Sequence, residues 1–161
     1  FLAGLQTPDD APALATWGGV LDLLGCTIEK EALLPGESVW AECRWRAREE
    51  IDAAWKVTTT LSGAFQAETR VSSPAEGLLQ TWRFVPGLAV RDRVRVPVPS
   101  RTAPGEAVLR VGWQSFTGGP IPLDGSPDEH LVEIGRIQVL PAPPMAPPGG
   151  DPAMAPEGPG E

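Results

Sequence analysis

The chain carries one histidine, His130, and two cysteines, Cys26 and Cys43. One imidazole cannot build a His-rich metal centre, and the cysteines lack the C-x-x-C spacing of a zinc site. A Cys–His nucleophile pair would need His130 beside a thiol. His130 instead follows an acidic loop, and both cysteines fall on the apolar phase of their strands. Asp124, Asp128 and Glu129 offer oxygen ligands to calcium, but their spacing matches no calcium loop, so a solvated acidic loop is the expectation. No glycine-rich phosphate loop follows a strand and opens a helix. These residues assign no catalytic, cofactor-binding or metal-binding position, and the expectation is a protein that is not an enzyme and needs no cofactor.

Two sets of residues speak for binding. Arg44 and Arg46 share the polar phase of one alternating stretch, and Arg91, Arg93 and Arg95 share that of another. If the two stretches are neighbours in one sheet, the five guanidinium groups form a patch for an anionic partner, because Arg pairs bidentately with carboxylate or phosphate. The bland alternative is a solvated face neutralised by Glu42 and nearby acids. The second set is aromatic. Of six Trp, Trp45, Trp55 and Trp82 follow core phase, whereas Trp17, Trp40 and Trp113 are open to exposure. Trp40 and Trp113 are the candidates for an aromatic contact with a sugar or a protein.

The elements that must position these groups read as strands. From Val90 to Val98, Val90, Asp92, Val94, Val96 and Val98 alternate with Arg91, Arg93, Arg95 and Pro97, the period of a half-buried strand. Asp92 interrupts the apolar face and predicts a wet end. Pro104-Gly105 supplies a turn, and Ala107, Leu109 and Val111 return. Upstream, SVWAECRWRA places Val39, Ala41, Cys43 and Trp45 inward. AWKVTTTLS does the same for Trp55, Val57, Thr59 and Leu61. AFQAETRV is expected to bury Phe65, Ala67, Thr69 and Val71, and Leu78 to Phe84 to form a shorter strand. VLDLLGCTI, Val20 to Ile28, carries apolar residues on both faces, and LVEIGRIQVL changes phase near Gly135, as a bulge would require. No amphipathic helix is visible.

Seven or eight strands, about 8–14 residues apart and punctuated by turns, predict an all-β, immunoglobulin-like antiparallel β-sandwich. It is expected over residues 17–140. Residues 1–16 read as an N-terminal arm or linker, and residues 141–161 as a Pro/Gly-rich tail, disordered or extended. Cys26 and Cys43 flank the Pro35-Gly36 turn. They are either a cross-strand disulfide, which implies an oxidising compartment, or two buried free thiols.

The net charge of −8 and pI near 4.7 argue against a nucleic-acid partner. No run of about 18 apolar residues is present to span a bilayer as a helix. The chain opens at Phe1 with FLAGL, read as a processed form or fragment, where the end of a signal or anchor and an arbitrary boundary are equally consistent.

Two motif sets carry a resemblance. One runs from Trp82 through Pro86-Gly87, Val90, Asp92, Val94, Val96, Val98 and Pro99 to Pro104-Gly105, Leu109, Val111 and Gly112. The other is Leu23-Leu24-Gly25 with Pro35-Gly36 through Trp45. Over residues 17–140 the chain resembles the immunoglobulin-like domains attached, on the extracytoplasmic side, to bacterial membrane glycosyltransferases of the protein-mannosyltransferase type. Val85 lengthens the Trp-to-Pro-Gly gap, and Cys26 stands where an aromatic is common. The resemblance implies a non-catalytic accessory module, periplasmic or at the cell surface, held at the membrane by a protein partner or a missing N-terminal segment. The alternative it implies is a carbohydrate-binding module serving such an enzyme.

Overall fold

A computed structural model describes residues 2–144. Its ten strands are β1 (Gln6–Pro8), β2 (Ala15–Trp17), β3 (Leu21–Ile28), β4 (Ala32–Leu33), β5 (Ser38–Ala47), β6 (Lys56–Gly63), β7 (Phe65–Ser72), β8 (Leu88–Pro97), β9 (Gly105–Gln114) and β10 (Leu131–Val139). They form two five-stranded sheets, ordered β1-β8-β5-β3-β2 and β4-β10-β9-β6-β7. The seven longer strands cross between sheets after β5, after β7 and again after β8, the Greek-key connection of an immunoglobulin-like sandwich. The three extra strands, β1, β2 and β4, are two or three residues long, too short for periodicity to reveal. The Pro-rich stretch has no regular structure over residues 141–144, and its remainder lies outside the described residues.

Alternation sets the core. On β5, Val39, Ala41, Cys43, Trp45 and Ala47 are buried while Trp40, Glu42, Arg44 and Arg46 face outward. Val94, Val96, Val57, Leu61, Leu109 and Val111 complete the same layer. Three indoles form its centre. Trp45 lies edge-on between Trp17 at 5.6 Å and Trp113 at 4.8 Å, an arrangement that adds about 0.5–1.5 kcal/mol per pair beyond burial.

Trp17 and Trp113 are therefore both fully buried, and the expectation that either is a surface contact is corrected. Trp17 ends the short strand β2, and its indole N–H donates to the His130 carbonyl at 2.8 Å. Trp113 sits on β9 in register with Val57, in the inward phase.

The β3 stretch is apolar on both faces because a register shift between Leu23 and Gly25 changes its phase. The anticipated bulge near Gly135 is also present, between Glu133 and Gly135 of β10. Leu78 to Phe84 is not a strand. Short 3₁₀ turns occupy Pro74–Gly77 and Thr81–Arg83. The buried Thr81 hydroxyl accepts the Trp55 N–H at 2.9 Å and donates to the Ala53 carbonyl, which pins the turn to the β5–β6 connection. That turn swings Trp82 outward, leaving it 58% exposed, so its assignment to the core is corrected as well.

Candidate functional site

β5 and β8 are antiparallel neighbours with Trp40 opposite Arg95, Glu42 opposite Arg93 and Arg44 opposite Arg91. The five candidate arginines thus share one face, but they do not act as one patch. Arg44 pairs with Asp9, Arg46 with Asp22 at 3.0 Å, Arg91 with Glu42 at 3.3 Å and Arg93 with Glu29 at 2.8 Å. Arg46 also donates to the carbonyls of Asp9 and Ala11, at 2.9 and 2.8 Å. Arg44 and Arg46 are thereby engaged within the chain. They hold the N-terminal arm against the sheet, where β1 pairs with β8 and β2 with β3.

Asp22 is the buried centre of this lashing. Its carboxylate, 1% exposed, accepts from Thr16 Oγ1 at 2.8 Å, Arg46 Nη2 at 3.0 Å and Arg48 Nε at 2.8 Å. Asp9 answers on the arm. The Ala11 amide, with the Arg44 and Arg46 guanidinium groups, holds its carboxyl below the usual carboxylate range.

Trp40 is half-buried and serves as a shelf for guanidinium groups. The Arg93 Cζ lies 4.2 Å and the Arg95 Cζ 5.3 Å from its ring centroid. A cation over the indole supplies the contact that a sugar ring would otherwise make. Beyond Trp40, toward β7, lies an open groove of about 530 Å³ lined by Arg70, Ser72, Ser73, Arg93 and Arg95, with Glu76 at its side.

A second concavity, of about 500 Å³, lies at the other end of β8. Trp82, Val85, Pro86, Ile51 and Phe84 form its apolar wall, and Glu50, Asp52 and Arg83 form its rim.

Asp92 sits beneath the arginine face, not at a wet end. It is 1% exposed, and it accepts the Trp45 indole N–H at 3.1 Å and the Ala75 amide at 2.9 Å. Burial pushes its carboxyl up to about 7 despite those two donors, with the negative charge of Glu76 adding to the rise. Ala75 and Glu76 hold left-handed φ values of 52° and 55°, a cost of order 1 kcal/mol or more each for residues with a Cβ. The Asp92–Ala75 bond is what this backbone delivers.

Cys26 and Cys43 stand opposite each other on β3 and β5 and are joined as a disulfide. Closing a loop between positions 17 residues apart constrains the unfolded chain by roughly 3 kcal/mol. Cys26→Ser with Cys43→Ser is therefore expected to lower the unfolding free energy by about 2–4 kcal/mol, read by urea titration.

In the acidic loop, the Asp124 carboxylate accepts the Gly19 amide at 2.9 Å. Its own N–H donates to the Thr16 carbonyl. Asp124 thus fastens its loop to the β2–β3 turn. Among the described residues, no three His, Cys, Asp or Glu side chains are grouped to hold a metal, and no helix is long and apolar enough to cross a membrane.

Sequence reasoning missed Arg70, Ser72 and Ser73. Arg70 is in register with the buried Thr59, and Ser72 with the buried Val57. The inward phase of β7 is thus the polar set, opposite to that expected, and Val71 is 45% exposed. Alternation cannot assign the inner face of an edge strand that overhangs the opposite sheet, because no apolar surface covers it.

No family model matches the chain, and no curated protein matches it. Among solved structures, a Niemann-Pick type C2 protein from the Japanese carpenter ant aligns with a TM-score of 0.49 at 7% identity, covering 79% of this chain and 99% of that one. The β-glucosidase from Listeria innocua aligns at 0.43 and 11% identity, over 81% of this chain and 17% of the enzyme. The sporulation control protein Spo0M from Bacillus subtilis aligns at 0.40 and 14% identity, over 75% and 49%. At these scores and identities they carry no functional inference. None ties the chain to the glycosyltransferase-attached domains that its motifs resemble.

Proposed function

We propose that this chain is a non-catalytic interaction module of an extracytoplasmic, membrane-associated protein or assembly, docking onto a protein partner through the Trp82 concavity. The observation that carries the reading is the outward Trp82. The sandwich buries Trp17, Trp45 and Trp113 completely, yet a 3₁₀ turn pinned by Thr81 holds Trp82 at 58% exposure, with Val85 at 48% beside it. Large exposed aromatics around a concavity are the usual anchors of protein interfaces. Glu49, Glu50 and Asp52 are exposed nearby and make no ion pair among the described residues. The partner that fits is a protein segment presenting an apolar side chain flanked by Lys or Arg. The disulfide supports an oxidising, extracytoplasmic setting, and the motif resemblance supports an accessory role beside a membrane glycosyltransferase.

A second reading, carbohydrate binding, is favoured by the same ring, since Trp82 stands beside the hydrogen-bonding carboxylates Glu50 and Asp52. Capture of a partner from native membranes separates the two. With a protein partner, Trp82→Ala should cost at least about 2 kcal/mol, some thirtyfold in Kd. A glycan-array signal that Trp82→Ala abolishes, without protein capture, would replace the first reading by the second.

A further inference from the structure

The groove between β7 and β8 carries a second site, distinct from the Trp82 concavity and independent of the function proposed for it. β7 is the outer strand of its sheet, and its inward phase brings Arg70 and Ser72 over the flank of β8. β8 answers with Arg93 and Arg95 from its outward phase, and Ser73 closes the end where the chain leaves β7. Three guanidinium groups and two hydroxyls thus face one opening of about 530 Å³, against the single carboxylate of Glu76.

The partners of these cations differ. Arg93 is bonded to Glu29 at 2.8 Å. Arg70 and Arg95 form no ion pair or side-chain hydrogen bond among the described residues. Trp40 fixes the planes of Arg93 and Arg95 from beneath, so their N–H edges are held in place at little further entropic cost. In a chain of net charge −8, which has acids to spare, two unpaired arginines converging on a third mark a place kept for a ligand's charge.

We propose that this groove binds a phosphate monoester. Arg70, Arg93 and Arg95 against Glu29 and Glu76 leave a net positive charge. Their donors with two hydroxyls outnumber what the two oxygens of a carboxylate accept, whereas a phosphate monoester presents three strong acceptor oxygens and a charge of about −1.5 to −2. Arg donors in pairs and Ser hydroxyls are the groups that match phosphate oxygens. The opening lies within the size range of small-molecule sites. The phosphate arrives either on a soluble molecule or on a lipid headgroup.

Two arms distinguish these sources. One titrates the full chain with glycerol 3-phosphate in a calorimeter. The other sediments it with phosphatidylcholine vesicles made with and without phosphatidic acid. Binding in the first arm assigns a soluble phosphate ester, and binding in the second alone assigns a headgroup. In either case Arg70→Gln with Arg95→Gln should weaken binding at least tenfold. Arg101→Gln, which removes an exposed charge away from the groove, and Trp82→Ala should leave it unchanged. All four side chains are exposed, so each variant should keep the wild-type Tm. Binding in neither arm, or equal loss in Arg101→Gln, would overturn the site.

Discussion

Replacing Asp22 with Ala is expected to lower the unfolding free energy by about 3–5 kcal/mol, the range for removing one partner of a buried ion pair. The carboxylate is 1% exposed and holds Arg46, Arg48 and Thr16 at once. Without it, Arg46, whose side chain is only 17% exposed, is left as an uncompensated charge. Arg46 in turn holds the arm through the carbonyls of Asp9 and Ala11. Loss of stability should therefore come with release of the arm. Thermal unfolding should shift down by roughly 10 °C for a domain of this size, and limited proteolysis should cut between Asp9 and Leu14 in the variant before it cuts the wild type. Exposed pairs such as Lys30–Glu37 should change stability by less than about 1 kcal/mol when broken.

The second large effect is a dependence on pH. Asp92 has a carboxyl raised from about 4 in the unfolded chain to about 7 in the fold, with burial the main cause. Between those values the folded state binds the extra proton, so stability falls as pH rises. The contribution is fully present below pH 4 and is lost once the pH passes 7. At about 1.4 kcal/mol per pH unit the span is of order 4 kcal/mol. Asp92→Asn cannot titrate. Its amide also places an N–H₂ against one of two donors, the Trp45 indole and the Ala75 amide, that the carboxyl accepts. At pH 5 the variant should be less stable than the wild type, and the gap should shrink steadily toward pH 8. Urea titrations at pH 5, 6, 7 and 8 measure it. A gap that stays constant over that range would place the Asp92 pKa outside it.

Much of the sandwich is legible in the chain because its longer strands each have one covered face. Val90 to Val98 and Val39 to Trp45 alternate cleanly, and the β5–β8 pairing follows from the immunoglobulin-like order. Cys26 and Cys43 fall opposite each other because the β3–β5 register leaves them so. Legibility fails where a residue answers to something other than a core. Asp92 reads as a wet gap because its two N–H donors come from Trp45 and from a turn distant in sequence. Trp82 reads as core because alternation says nothing of a 3₁₀ turn anchored by Thr81. Trp113 reads as open because it closes a strand next to a loop, yet the loop folds back over it, with the Ile121 amide on the Trp113 carbonyl. The arginine face is visible as a set. The division of labour within it is not, since it depends on Asp9, Asp22 and Glu29 arriving from three other segments.

The interaction reading is tested most directly by placing a photoreactive amino acid at Val85, beside Trp82, in cells that make the protein. A matched position at Leu34, 36% exposed on the β4–β5 loop, serves as the control. The account predicts one dominant protein adduct from position 85, none from position 34, and loss of the adduct when Trp82→Ala is added. No adduct at 85, or the same adducts from both positions, would contradict it.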